Sequence, residues 1–191
     1  MTKTDKKGHL FVISGPSGVG KGTLLSALLK NHPDIKLSIS ATTRKPRPGE
    51  IHGVNYFFTT VDDFKALIQK NELLEWAEFA GNFYGTYQKT VQESLDNGHD
   101  LALEIDVQGA LQVKNKIKDA ILIFILPPSM EELKARLEGR NTETQEAIAK
   151  RLSIVENELK HAELFNYKVI NNEFDTALKE LENIIIAERG K

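Results

Sequence analysis

Residues Gly15-Pro16-Ser17-Gly18-Val19-Gly20-Lys21-Gly22-Thr23 constrain the fold more than any other stretch of this sequence. Before them, Leu10-Phe11-Val12-Ile13-Ser14 has the composition and length of a buried strand; after them, Leu24, Leu25, Leu28 and Leu29 recur at helical spacing. In a strand, loop, helix context the glycines let successive backbone N–H groups turn toward one anion, and the helix N-terminus adds its partial positive charge. Gly15, Gly20 and Lys21 have the spacing of a phosphate-binding loop, with the lysine placed to reach the β- and γ-phosphates. The stretch reads as a triphosphate cradle. Stripped of its flanks it would be a glycine-rich turn with a solvated lysine.

One position departs from that pattern. Gly22 stands where such loops carry a Ser or Thr whose hydroxyl meets Mg²⁺, and the hydroxyl comes one residue later, at Thr23. Magnesium is therefore expected to be held mostly by water and phosphate. The Gly-Lys-Gly-Thr wording resembles that of adenylate-kinase-like enzymes, which makes the departure a variant within nucleotide kinases.

At 191 residues the chain is long enough for one well-buried core and short for two full domains, so a single unit is expected. A formal charge of −2 gives no sign of nucleic acid, and an anion-handling protein at that charge must concentrate its cations locally. The absence of cysteine excludes disulfides, thiolate zinc sites and cysteine nucleophiles, and fits a reduced cytoplasm. Met1 to His9 is polar and lysine-rich, a short frayed leader in this reading, and no run approaches the length of a membrane span.

Along the chain, Asn31-His32-Pro33 stops the first helix and Lys36 to Ala41 alternates as a half-exposed strand. Thr42 to Glu50 is basic and stiffened by Pro46 and Pro48; alone, it fits a solvated connector as well as a binding loop. Strands are expected at Asn55–Thr59, Glu75–Phe79 and Asn82–Thr86 with a helix at Asp62–Lys70, so that the middle region, about 40–90, reads as a small β-rich insertion. Strands follow at Leu101–Asp106 and Ala120–Leu126, the second apolar on both faces as a central strand should be. A helix around Gln108–Ile117 separates them. Ser129 with Glu132 is a capping-box signature, Thr142 to about Leu164 carries a long helical pattern, and Tyr167–Asn171 and Phe174–Arg189 read as a last strand and closing helix. Alternating strands and helices with a phosphate loop at the first turn imply a three-layer α/β core.

Phosphoryl transfer needs charge neutralisation and in-line positioning, hence a phosphate loop, a metal and several arginines. Arg136 and Arg140, four apart, share one helix face, and Arg151 stands on the next helix across Gly139-Arg140-Asn141. Three guanidiniums on a hinged helix pair suit a lid over a triphosphate, and surface salt bridges with Glu132, Glu138 or Glu143 are the plain alternative. Glu104 and Asp106, two apart on a strand, would point to one side near its end, where one acid holds magnesium through water and the other faces the acceptor; capping a neighbouring helix is the structural alternative. Guanine presents donors at N1 and N2 and an acceptor at O6, a pattern met by Glu75 and Asp106 as acceptors with Ser40 and Thr86 as donors. Arg44 and Arg47 can clamp a monophosphate that Tyr56 and Tyr84 also reach.

These residues resemble guanylate kinase from Leu10 to about Glu188. The carriers are Gly15 to Lys21, Thr42-Thr43-Arg44 with Pro46-Arg47 and Gly49-Glu50, Glu75-Trp76 with Gly81 to Gly85, Ile105 to Gly109, and Arg136-Leu137-Glu138-Gly139-Arg140. The resemblance implies a P-loop nucleoside monophosphate kinase fold, with a mostly parallel core (1–39, 91–128 and 165–191), a GMP-binding subdomain (40–90) and a helical lid (129–164). It implies Mg²⁺-dependent phosphorylation of GMP by ATP, giving ADP and GDP, with dGMP as a related substrate. Gly15 to Thr23 would bind ATP; Ser40, Arg44, Arg47, Glu50, Tyr56, Glu75, Tyr84, Thr86 and Asp106 would contact GMP; Lys21, Arg44, Arg136, Arg140 and Arg151 would serve catalysis, with Glu104 toward the metal through water. Glu104 stands where many relatives have Asp. A homo-oligomer is left open. Two other readings compete: a kinase for another nucleoside monophosphate, disfavoured by the acids of the base pocket, and a non-catalytic phosphopeptide-binding module of guanylate-kinase type, disfavoured by the intact loop lysine and the arginines.

Overall fold

The computed structural model describes residues 7–138 and 145–191. In chain order the elements are β1 (Leu10–Ser14), α1 (Lys21–Asn31), β2 (Lys36–Leu37), β3 (Ala41–Thr42), β4 (Phe57–Phe58), α2 (Val61–Gln69), β5 (Leu73–Phe79), β6 (Asn82–Tyr87) and α3 (Gln88–Asp96). They continue with β7 (Leu101–Glu104), α4 (Val107–Lys116), β8 (Ile121–Leu126), α5 (Met130–Glu138), α6 (Gln145–Leu159), a 3₁₀ turn at Ala162–Leu164, β9 (Tyr167–Ile170) and α7 (Phe174–Arg189). The fold is α/β. One sheet has the order β2-β7-β1-β8-β9, the other β4-β3-β6-β5. The pairings β2–β7, β1–β8 and β8–β9 are all parallel, whereas β6 runs antiparallel to both β3 and β5. The described residues fall into two compact units, one within Met1–Leu10, Asp34–Leu103 and Gln108–Ala120, the other within Phe11–Pro33, Glu104–Val107 and Ile121–Lys191.

In the second unit, β8 is paired on both sides, Phe11 facing Ile121 in one register and Ile123 facing Tyr167 in the other. A strand hydrogen-bonded along both edges and covered on both faces has no use for alternation, which is why Ile121 to Ile125 are apolar and buried throughout. Helix α1 buries Leu24, Leu25 and Leu28, and α7 buries Ala177, Leu181, Ile184 and Ile185. Asn31 Nδ2 donates to Glu182 Oε1 at 2.8 Å between them. The capping signature holds: Ser129 Oγ accepts from the Glu132 amide at 3.1 Å at the start of α5.

In the first unit, Ala41, Phe64 and Leu73 form a buried cluster against which Phe57, Leu67, Ile68, Phe83 and Tyr87 pack. Phe64 stacks on Phe83 with centroids 5.5 Å apart. The close fit explains Gly85 on β6: a Cβ there would come within 2.8 Å of the Glu75 carbonyl and 3.0 Å of the Phe64 ring. Strands β5 and β6 form a hairpin that registers Phe79 with Asn82, turned by Ala80 and Gly81 at φ 49° and 73°. Two central residues with positive φ match the twist of paired strands. Gln112 on α4 accepts from the Trp76 amide and donates to its carbonyl, at 3.2 and 2.8 Å, tying that helix to β5.

Two sequence expectations change. The run Lys36 to Ala41 is not one strand. Lys36–Leu37 pairs with Leu101–Ala102, while Ala41–Thr42 pairs with β4 and β6 in the other sheet. Backbone groups between them stay satisfied, since the Ser38 amide donates to Ala102 at 3.0 Å and the Ser40 carbonyl accepts from Phe57 at 2.9 Å. Strand β7 ends at Glu104, and Asp106 lies beyond it, directly before α4. The two carboxylates therefore do not share a strand face. The helix expected from Thr142 has its beginning outside the described residues; the described part ends at Leu159 and passes into the 3₁₀ turn.

Candidate active site

The phosphate loop joins β1 to α1. Gly20 caps the helix at φ 91°, and at Gly15, φ 140°, a Cβ would lie 2.3 Å from the Ile125 carbonyl oxygen. Only glycine fits either place. Lys21 Nζ donates to the carbonyls of Gly15 and Pro16 at 2.6 and 2.8 Å, folded back over its own loop. Burial lowers its pKa, while Glu104, Glu158 and Asp106, in that order, pull it up. The structure thus brings both predicted acids, Glu104 and Asp106, into the field of the loop lysine. Glu104 keeps solvent access at the end of β7, yet partial burial of its carboxyl group raises its pKa, with Lys21 opposing.

Two of the three predicted arginines lie among the described residues; Arg140 lies outside them. Arg151 donates to Ser17 Oγ of the loop at 3.0 Å. Arg136 donates through both terminal nitrogens to the Asn171 carbonyl at 3.2 Å, and through Nε to Glu132 at 3.3 Å. Asn171 in turn donates from Nδ2 to the Val19 carbonyl at 2.6 Å. This nearly buried asparagine, which the sequence reading passed over, thereby joins Arg136 to the loop. Its signal was positional: a polar residue just past the carboxyl end of a sheet strand, where open α/β sheets bind ligands. Glu158 was also missed. Burial raises its pKa, Lys21 and His161 oppose, and Asp106 adds to the rise. It stands seven residues after Arg151, on the same face of α6.

The acceptor-side residues Ser40, Arg44, Arg47, Glu50, Tyr56, Glu75, Tyr84 and Thr86 all fall within Asp34–Leu103 of the first unit; Asp106 belongs to the second. Glu50 organises the basic loop, pairing with Arg44 at 2.8 Å and accepting from the Arg47 amide at 2.7 Å. That hydrogen bond from Arg44 holds the Glu50 carboxyl below its ordinary range. The Arg44 guanidinium lies 5.4 Å from the Tyr56 ring centre and 6.0 Å from that of Phe58. Tyr56 and Tyr84 meet edge to face at 6.3 Å. At the base of the sheet Thr86 Oγ1 donates to Glu75 Oε1 at 2.6 Å, with the two residues 1% and 2% exposed. Thr86 has one O–H and spends it on Glu75, so in this structure it orients that carboxylate and does not present the donor expected for a guanine O6; the acceptor-only carboxylate suits a ligand edge rich in N–H donors.

A magnesium ion is usually held by one or two carboxylates together with waters and substrate phosphates. Glu104 fits that role, its two carboxylate oxygens 3.3 and 3.4 Å from where a Cβ on Gly22 would stand. No group of three or more His, Cys, Asp or Glu suited to a metal is found among the described residues.

The sequence profile of the guanylate kinase family matches residues 7–188. The chain belongs to the guanylate kinase family. The guanylate kinase of Syntrophomonas wolfei is 52% identical over 98% of this chain and 96% of its own length. That of Halalkalibacterium halodurans is 49% identical over 97% of this chain and 91% of its own. The crystal structure of guanylate kinase from Anaplasma phagocytophilum superimposes with a TM-score of 0.79 at 34% identity, covering 97% of this chain and 88% of that one. The sequence resemblance to the guanylate kinase family and the α/β expectation are both borne out. No helix among the described residues is long and apolar enough to cross a membrane.

Proposed function

We propose that the chain transfers the γ-phosphoryl group of ATP directly to GMP, giving ADP and GDP, with the residues named from the sequence in their stated roles save Thr86, whose hydroxyl donates to Glu75 and orients it toward the base. The observation that carries the acceptor assignment is the buried Glu75–Thr86 pair. Against it guanine offers N1–H and N2–H, whereas adenine would set its N1 lone pair against a carboxylate; a mismatched buried polar group costs about 1–3 kcal/mol, more when charged. Arg44 and Arg47, arranged by Glu50, clamp the GMP phosphate, with Tyr56 and Tyr84 beside it. Ser40 and Asp106 complete the base contacts.

On the donor side, Gly15 to Thr23 cradle the triphosphate, and Lys21 leaves its loop carbonyls for the β- and γ-phosphates. Arg136 and Arg151, already bonded to Asn171 and to the loop, spread the charge of the transition state, and Arg140 joins them. In this reading residues 40–90 are the GMP-binding subdomain and 129–164 the lid. Glu104 would hold Mg²⁺ through water, and the ion would neutralise charge between the β- and γ-phosphates. A GMP phosphate oxygen is the nucleophile. Being ionised at neutral pH, it needs no general base, and no phosphoenzyme forms. The product leaves with the oxygen of GMP bonded to the transferred phosphorus, and the bond from that phosphorus to the ADP oxygen broken. This reading places the activity in the cytoplasm, which a chain without cysteine fits.

The test supplies ATP and Mg²⁺ with GMP, AMP, CMP, UMP and dTMP in turn and measures ADP. Turnover with GMP, abolished by Lys21→Ala, is the expected result; preference for another monophosphate would displace Glu75 from the base pocket, and silence with all five would end the catalytic reading.

A further inference from the structure

Gly22 is the loop glycine that no backbone dihedral requires. Gly15, Gly18 and Gly20 have positive φ, and Gly22 does not; it sits in the first turn of α1. Glycine is the poorest helix former after proline, so its presence there needs another cause. That cause is Glu104. A Cβ on Gly22 would stand 3.3 and 3.4 Å from the two oxygens of that carboxylate and 3.8 Å from its carbon. Carbon–oxygen contacts at that distance are already crowded, and a serine or threonine would bring one more oxygen into the same corner. Shortening Glu104 to aspartate withdraws the carboxylate by about 1.5 Å, one carbon–carbon bond, which is the scale of a hydroxyl group.

We infer that Gly22 and Glu104 are a reciprocal pair: the carboxylate of Glu104 fills, from the end of β7, the place beside α1 where other phosphate loops put a serine or threonine hydroxyl. Both residues that depart from the usual pattern are then one change. The oxygen that faces a divalent cation on the nucleotide phosphates comes from the neighbouring strand because the loop does not supply it. Serine with glutamate would crowd this corner, so that a neighbour must give by a few tenths of an ångström, and glycine with aspartate would leave a gap. Gly22 with Glu104, or serine with aspartate, are the two complementary solutions.

The metal half of this inference rests on the phosphoryl-transfer reading; the steric half does not. A double-mutant cycle separates them. Gly22→Ser, Glu104→Asp and the combined variant are first melted in EDTA without nucleotide. Serine is a better helix former than glycine, so without crowding Gly22→Ser raises Tm; the pairing requires a fall, most of it recovered in the combined variant. A Gly22→Ser protein as stable as the parent, or additive effects, overturns the pairing. If serine prevents folding in both backgrounds, Gly22→Ala with and without Glu104→Ala repeats the cycle with a smaller probe, and a loss equal in the two backgrounds overturns it.

The second measurement is Mn²⁺ binding in the presence of ADP, followed by electron paramagnetic resonance. Glu104→Asp is expected to weaken it about tenfold, and the combined variant to return to within about threefold of the parent. Parent-like binding by Glu104→Asp, or no recovery in the combined variant, overturns the ligand substitution. A parent that fails to phosphorylate GMP overturns the functional reading and leaves the EDTA cycle intact.

Discussion

Glu158 shows how much a single side chain can hold in reserve. Burial keeps its folded pKa above the ordinary 4.5, despite the pull of Lys21 and His161 and with a push from Asp106. A raised acid pKa means that the folded state binds the proton more tightly than the unfolded one, so stability falls as pH rises from about 4.5 through the folded value. Glu158→Gln, which mimics the neutral form, is therefore expected to melt at higher temperature than the parent at pH 7 and at the same temperature below pH 4.5; an advantage independent of pH would show that the charge is not its source. Glu75→Gln tests the other end of the reaction. Replacing one acceptor by an amide donor that faces the guanine N–H groups is expected to lower kcat/KM for GMP by roughly 10- to 100-fold, the worth of a hydrogen bond to a charged group, while the Kd for ATP stays unchanged. Residues such as Gly15, Lys21 and Glu75 were legible in the sequence because their chemistry is written within one short stretch. Asn171 and Glu158 were not, because what they do depends on a loop about 150 and 137 positions away.

The β5–β6 hairpin belongs to the scale of the element. Its turn places Ala80 at φ 49°, a left-handed conformation that costs a non-glycine residue about 1 kcal/mol and that asparagine tolerates. Ala80→Asn, creating the Asn-Gly pair that two-residue hairpins favour, is expected to raise the unfolding free energy by about 0.5–1 kcal/mol. Trp76 is the chain's single tryptophan and lies on β5, facing Gly85. Fluorescence-detected urea unfolding therefore reads this hairpin directly, and an unchanged midpoint would mean that the turn is not strained. Elements with a regular pattern were readable beforehand: β1, buried along its length, β8, buried from Ile121 to Ile125, and α7, which buries a stripe at helical spacing and whose predicted ends are the observed ones. Lys36 to Ala41 was not, because its alternation is equally well satisfied by two short strands in different sheets. Strand β7 stops short of Asp106 for a related reason: periodicity says which face a residue takes only while the strand lasts.

At the scale of the whole molecule, neither compact unit is a continuous stretch of chain, each being assembled from three. That partition was invisible in the sequence, since no linker composition marks it. It does have a measurable signature. If the proposed residues are the right ones, GMP alone is expected to slow amide exchange in β3 and β6, and ADP alone in the loop around Lys21 and at Asn171; protection in the opposite pattern would reassign the two sites. The ends of the larger sheet carry a different consequence. One terminal strand, β2, is two residues long, and the other, β9, is four residues with Lys168 at its middle. Neither border exposes a flat, uncharged row of amides on which a second chain could be templated. In crowded solution the larger sheet is thus guarded against fibril growth by brevity on one side and by charge on the other.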